Sequence, residues 1–526
     1  MLNSKRLWTT TILLGIAFDI LFWKKIPGIS FAIFVTLVLV SGVRVLREDG
    51  FRPHARTFGL LLPIGFFAVM TFIRAEPLTT FLNYLLTLVF MGFFALSYLG
   101  GRWLDYSISD YIAGYVRLGL VSMIGRPLSF IIETRKQRDQ AEGESEPSRV
   151  APILRGLLIA LPIVAIFASL LSSADLVFAQ QMDAFIELFR LEKLPEYIFR
   201  GFYILVIAYA LVGALLYAAL KSRDETLIGE EKPFIAPFLG FTESSIVLGS
   251  VLLLFAAFVL VQFQYFFGGQ ANINIEGYTY AEYARRGFGE LVAVAFFSLL
   301  LFLGLSAITR RADKQQKTFS AMGVTLVLFV LVMLVSALKR LALYEAAYGF
   351  SRMRAYPHVF MLWLGALLIA VVVLEFLGKR RLFAPAMAFA IIGFAASLNL
   401  MNVDAFIVRH NVERSLGGAK LDMAYLASLS DDAIPALAAQ LDNKSASLLT
   451  RESVAASLVC AWYQDEFRYT ETRSWQSFHL AQWKASQTYA EINPLEGYTY
   501  NYEDWYLIVT SPSGVKFACH DREIWD

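Results

Sequence analysis

Two runs of the chain gather side chains whose types and spacing could do chemistry. In the first, residues 278–291 (YTYAEYARRGFGEL), Glu282, Arg286 and Glu290 recur at four-residue spacing and Tyr283 stands three before Arg286. A helix would bring these four to one face, with Arg285 beside them. In the second, residues 338–358 (LKRLALYEAAYGFSRMRAYPH), Arg340, Tyr344 and Tyr348 also recur every four residues. Glu345 adjoins them, and Arg352, Arg354 and His358 follow. Guanidinium forks pair with phosphate or carboxylate, so the two runs together suit an anionic head group. With a bound substrate, Glu282 or Glu290 could act as general base while Arg286 and Arg352 clamp the anion. The same residue types are ordinary anchors at a membrane edge, and pairing of Arg286 with Glu290 would satisfy a deep carboxylate without further function.

The elements that must hold these runs are apolar. Hydrophobic residues make up 57% of the chain and charged residues 17%, with a mean hydropathy of +0.55. That is more apolar surface than a soluble core can hide, so the bilayer is the expected partner. About eleven apolar runs are long enough to cross ~30 Å of hydrocarbon as helices. They fall near 7–23, 28–46, 57–73, 78–99, 152–172, 201–220, 244–267, 287–308, 319–338, 359–377 and 382–400. Between the fourth and fifth, residues 106–150 read as an amphipathic helix on the inner surface followed by a charged linker, QRDQAEGESEPS at 137–148.

Lys and Arg are roughly twice as frequent in the connections on one side as on the other, which places the N-terminus inside. An odd number of crossings then sends the C-terminal segment outside. Both charged runs would emerge on that same outer face.

Past residue 402 the character changes. Residues 403–526 hold 17 Asp and Glu against 10 Lys and Arg, and five of the nine tryptophans. This is expected to be a small α+β domain beside a polytopic helical domain at 1–402, with helices near 431–441, 445–464 and 474–489. A hairpin is expected over 498–518, around Ser511–Gly514. Cys460 and Cys519 both fall here and would form a disulfide in an oxidising compartment.

Some function classes are excluded on sequence. A net charge of +2 gives no field for nucleic acid. There is no Walker loop, no His-Glu-x-x-His, no Gly-x-Ser-x-Gly and no Cys or His cluster at zinc spacing, so neither metal nor cofactor is expected.

Three stretches together resemble one bacterial membrane family. They are EYARRGFGEL (282–291), RLALYEAAYGFSRMR (340–354), and NVDAFIVRHNVER (402–414) followed by LDMAYLASLSDDAIPAL (421–437). The family is catalogued as domain of unknown function 4173 and related to 4153, and SWQSFHLAQWKA (474–485) is similar to its Trp-rich segment. The resemblance implies an integral membrane protein of the bacterial cytoplasmic membrane and carries no known activity. It adds Asp404, Arg409, Asn411 and Arg414 to the candidate outer-face set.

Three functions fit. The first is a non-enzymatic envelope protein, sensing or scaffolding, whose acidic tail covers the Arg and Tyr cluster and which contacts the bilayer, an anionic head group or an envelope protein. The second is a transporter or flippase of an anionic small molecule or lipid head group, for which no inverted repeat stands out. The third is a transferase acting on a lipid-linked substrate.

Overall fold

The structure is a computed structural model that describes residues 2–142, 193–223, 236–267, 288–310, 312–468, 474–493, 496–503 and 506–519, together with residue 227 and scattered positions between 156 and 182. It is a multi-pass helical membrane protein with a small antiparallel sheet near its C-terminus. Among the described residues, ten helical segments are long and apolar enough to cross a membrane. Large apolar side chains such as Leu62, Phe81, Leu253, Phe297 and Leu362 point outward from these helices. So much exposed apolar surface suits lipid contact.

By packing, the chain divides into two units, the first comprising Met1–Lys24, Phe34–Pro53 and Tyr115–Ser222. Here α1 (Ser4–Phe22) packs along the helix Leu194–Leu220. Between them Asp19 is buried and satisfied: Arg200 reaches it with Nε at 2.9 Å and Nη2 at 2.5 Å, and the Tyr203 hydroxyl donates to the same carboxylate. A carboxylate one turn from a helix end is thus held by an interhelical pair. Residues 106–150, expected as a surface helix and linker, are helical over Ile108–Val116, Arg117–Gly125 (a π-helical stretch) and Arg126–Glu142. The helix therefore extends into the stretch expected to be a linker, and Ile108–Thr134 is itself long and apolar enough to span.

The second unit comprises Lys25–Ile33, His54–Gly114 and Arg223–Asp526. Across both units, in chain order after α1, the elements are α2 (Ile29–Glu48), α3 (Leu61–Ile73), α4 (Pro77–Leu96), α5 (Ile108–Val116), α6 (Arg126–Glu142) and α7 (Leu194–Leu220), of which α6, α7 and most of α2 belong to the first unit. Next come α8 (Phe241–Phe267), α9 (Phe288–Ile308), α10 (Asp313–Tyr348), α11 (Arg352–Phe376) and α12 (Phe383–Met401). One apolar core, including Leu248, Phe302, Phe319, Leu326, Leu341, Leu364 and Leu368, joins α8 to α12. At 36 residues, α10 is about 54 Å long, so the first half of the second charged run is the end of this helix, and the rest is the turn and the start of α11.

Helix α12 ends at Asn402, which adopts a left-handed φ of 51°, a conformation Asn tolerates better than most residues. This single residue turns the chain directly into α13 (Val403–Leu416), and its side chain caps that helix at Ala405 N. The tail continues through α14 (Met423–Ala427), α15 (Ile434–Ala438), α16 (Leu448–Arg468) and α17 (Leu480–Ile492), close to the helices expected from the sequence. The expected hairpin is one half of a three-stranded sheet, β1 (Thr499–Glu503), β2 (Tyr506–Thr510) and β3 (Lys516–Cys519), in the order β1-β2-β3. Tyr500 pairs with Val509, and Val509 with Phe517. The sheet packs on α16 through Val459, Leu507 and Val509. There Cys460 and Cys519 are joined in a disulfide with a Cα–Cα distance of 5.7 Å.

The composition change at residue 402 marks no break in packing. Ala355, Val359 and Leu398 of the spanning helices share one buried core with Ile407, Leu426, Leu429, Ile434, Leu437, Leu458 and Tyr489. The first four helices of the tail and α17 are thereby seated on the ends of α11 and α12.

Candidate functional site

Where the ends of the spanning helices meet the tail, the second unit buries a chain of charged and polar groups. It starts at the link between α3 and α4, Arg74-Ala75-Glu76-Pro77. Pro77 occupies the first helical position, where its missing N–H is no loss, and Glu76 caps α4 by accepting from Leu78 N at 2.9 Å and Thr79 N at 2.8 Å. The same carboxylate accepts a hydrogen bond from the Tyr356 hydroxyl of α11. Burial of Glu76, 2% exposed, is therefore supported from two helices and its own backbone.

One turn before Tyr356, Arg352 opens α11. Its Nε and Nη2 lie 2.9 and 2.6 Å from the two oxygens of Asp404 on α13. Asp404 is fully buried and also accepts from Ser430 N at 2.8 Å and Ser430 Oγ at 2.6 Å. The backbone N–H of Arg352, one of the orphan donors at a helix start, donates to the Tyr425 hydroxyl at 2.7 Å. Burial pushes the Tyr425 phenol up to about 12, so it stays neutral throughout the physiological range.

A second tail carboxylate closes the chain. Asp432 accepts from Ala75 N at 2.7 Å and from Glu76 N at 3.3 Å, and lies 3.3 Å from Arg74 Nη1. Burial pushes its carboxyl up to about 6, with the Ala75 amide and Arg74 acting in the opposite direction. Arg74 Nε donates to the Asn399 carbonyl at 2.8 Å, and the Asn399 side chain forms a reciprocal amide pair with Asn83 on α4. His479 Nε2 lies 3.2 Å from the Arg74 carbonyl.

Several candidates named on sequence gather around the sharp turn between α10 and α11. Gly349, with φ of 79°, ends α10, and the Asn411 side chain brackets the next residue, accepting from Phe350 N at 2.7 Å and donating to Phe350 O at 2.8 Å. Arg414 Nη2 donates to Ala347 O at 2.9 Å. Arg354 donates to the Tyr348 and Gly349 carbonyls and stacks 4.1 Å from the Tyr344 ring centroid. Tyr344 and Tyr348 are in ring contact, and Glu345 is 3.3 Å from His358 Nδ1. Arg352 and Arg354 thus use donors on the chain itself, and Arg414 uses Nη2, while its buried Nε has no hydrogen-bond partner among the described residues.

Glu290 is exposed in the first turn of α9 and Arg340 is half-buried on α10; neither takes part in the Arg352–Asp404 pair. Glu282, Tyr283, Arg285 and Arg286 lie outside the described residues, and with them the proposed ladder of the first charged run. Arg409 is exposed at the rim of a cleft beside Asp432. Sequence reasoning missed Arg74, Glu76, Tyr356, Tyr425 and Ser430. The signal was there for the first two, as a pair of opposite charges wedged between two spanning helices.

Chemically, the arrangement is a clamp. Every buried carboxylate in it accepts several hydrogen bonds, and no group of three or more His, Cys, Asp or Glu side chains among the described residues could hold a metal ion. No curated protein and no solved structure matches the chain. The family whose model matches is 4153 rather than 4173, and the match extends over residues 61–440, from α3 to the end of the Asp432 segment. Since that is most of the chain and contains nearly all of the clamp, the protein belongs to the family described as domain of unknown function DUF4153.

Proposed function

We propose that this membrane protein is a non-enzymatic scaffold or sensor of the bacterial cell envelope, whose tail is locked onto the ends of its spanning helices. The observation that carries the reading is Asp404. It is fully buried and accepts from Arg352 and from both donors of Ser430, so the strongest cation of the cluster is neutralised internally. A catalytic or transporting arginine needs an acceptor it can exchange for substrate. The Cys460–Cys519 disulfide supports a tail outside the cytoplasm, and the roughly twofold Lys and Arg bias supports an N-terminus inside.

The test separates structure from chemistry. In cells lacking the protein, the single variants R352Q and D404N should fail to complement, while the neutral hydrogen-bonding pair R352Q/D404N should restore function because it reseats the tail. A transferase or transporter would remain inactive with the double substitution, since both need the charge. Inactivity of a double variant that folds normally would reject the scaffold reading.

A further inference from the structure

A cleft of about 380 Å³ opens beside the clamp, within the same unit. Its floor is the start of the 3₁₀ turn at Asp431 and Asp432, and its walls come from α13, α15, α17 and the end of α3. Ile73 and Arg74 close one spanning helix, and Asn402 is the residue after another, so the cleft sits where two spanning helices end.

The charges lining it do not cancel internally. Asp432 and Arg74 are paired with each other. That leaves Arg409 and Lys484, both exposed at the rim, and Asp431, which is 9% exposed and lines the cleft. No hydrogen bond or ion pair engages the Asp431 carboxylate within the described chain. The unpaired Asp431 carboxylate offers an acceptor to the cleft, and the two exposed cations at its rim offer donors. A simple anion would answer the cations and leave Asp431 unsatisfied; a simple cation would do the reverse.

We infer that the cleft binds a zwitterion of the phosphoethanolamine type, its phosphate held between Arg409 and Lys484 and its ammonium donating to Asp431. The volume admits a head group and no more than the start of a glycerol backbone, and the position at the span ends suits a phospholipid whose chains remain in the bilayer. A quaternary ammonium has no N–H to offer, so Asp431 discriminates against choline. Phosphatidylglycerol brings no cation, so the same residue disfavours it.

The experiment uses the full chain purified in detergent, with dihexanoyl forms of phosphatidylethanolamine, phosphatidylcholine and phosphatidylglycerol as probes, read by native mass spectrometry. The ethanolamine lipid should bind at least tenfold more tightly than the other two. K484Q and R409Q, at exposed positions that leave the fold intact, should each weaken it at least tenfold, and D431N should abolish the preference over phosphatidylglycerol. Competition by free glycerophosphoethanolamine at similar concentration would identify a soluble ligand as the source, and its failure a lipid. Equal binding of phosphatidylglycerol and phosphatidylethanolamine by the unmodified protein, or unchanged binding by K484Q and R409Q, would overturn the assignment.

Discussion

Arg352 and Asp404, 52 residues apart in the chain, meet fork to fork, with Nε 2.9 Å from one carboxylate oxygen and Nη2 2.6 Å from the other. The bidentate geometry ties the first turn of α11 to the first turn of α13, and Ser430 extends the bond into the tail. One interaction therefore links three segments that also share one buried apolar core.

Removing either partner leaves the other buried and uncompensated. Substitution Asp404→Ala should lower stability by about 3–5 kcal/mol, because a guanidinium would remain against an apolar core. Arg352→Ala should cost a similar amount, somewhat eased by the side chain's 23% exposure. Thermal unfolding in detergent, with limited proteolysis of the tail as a local readout, measures both. Equal protease resistance in the variants and the parent protein would contradict the role assigned to the pair.

The pH dependence follows from Asp432. Its carboxyl titrates near 6 in the folded chain, against an ordinary value of 3.8, because burial disfavours the charged form. The folded state therefore holds the proton more tightly than the unfolded one. The resulting stabilisation is full below about pH 4 and is lost as pH rises through about 6, a change on the order of 3 kcal/mol. Relative to the parent, Asp432→Asn should show a flatter melting profile between pH 4.5 and 7. An identical slope in both proteins would show that Asp432 titrates normally.

How far these groups were legible in the sequence depends on the range of the interaction. Nine of the eleven expected spans stood out because about twenty consecutive apolar residues suffice to mark them; α1 is not among the ten candidate spans, most of 152–172 lies outside the described residues, and Ile108–Thr134 was expected along the surface instead. Arg352 stood out in a charged run beside apolar helices, and Asp404 and Asn411 entered through the family resemblance, yet their pairing did not, since nothing local links position 352 to position 404. Glu76 and Asp432 were hidden by a correct local role: Glu76 does cap α4, and Asp432 does open a helical turn, and each then makes a second, distant bond. The disulfide pairing followed from having only two cysteines.

That disulfide yields a further prediction. Cys460 and Cys519 are separated by 59 residues and both are buried, so the bond closes a long loop around the sheet. Replacing both with serine should destabilise the tail by about 2–5 kcal/mol. Reduction under mild denaturation should lower the tail's melting transition and slow its migration in a non-reducing gel. Impermeant thiol reagents applied to intact cells, before and after reduction, report which side of the membrane the tail occupies. Labelling that requires permeabilisation would place it in the cytoplasm.

The turn between α10 and α11 depends on one glycine. Gly349 has φ of 79° and ψ of 177°, a region closed to residues with a Cβ, and a Cβ there would lie 2.7 Å from Asn411 Oδ1. Gly349→Ala thus strains the backbone and pushes away the amide that brackets Phe350, and the expected loss is about 2–3 kcal/mol. Asn411→Ala removes the same bracket without backbone strain and should cost about 1–2 kcal/mol. Combining the two should give less than the sum of their separate effects, because the alanine at 411 relieves the clash that the alanine at 349 creates. Thermal unfolding of both single variants and the double variant checks this, and strict additivity would mean that the contact between Gly349 and Asn411 does not shape the turn.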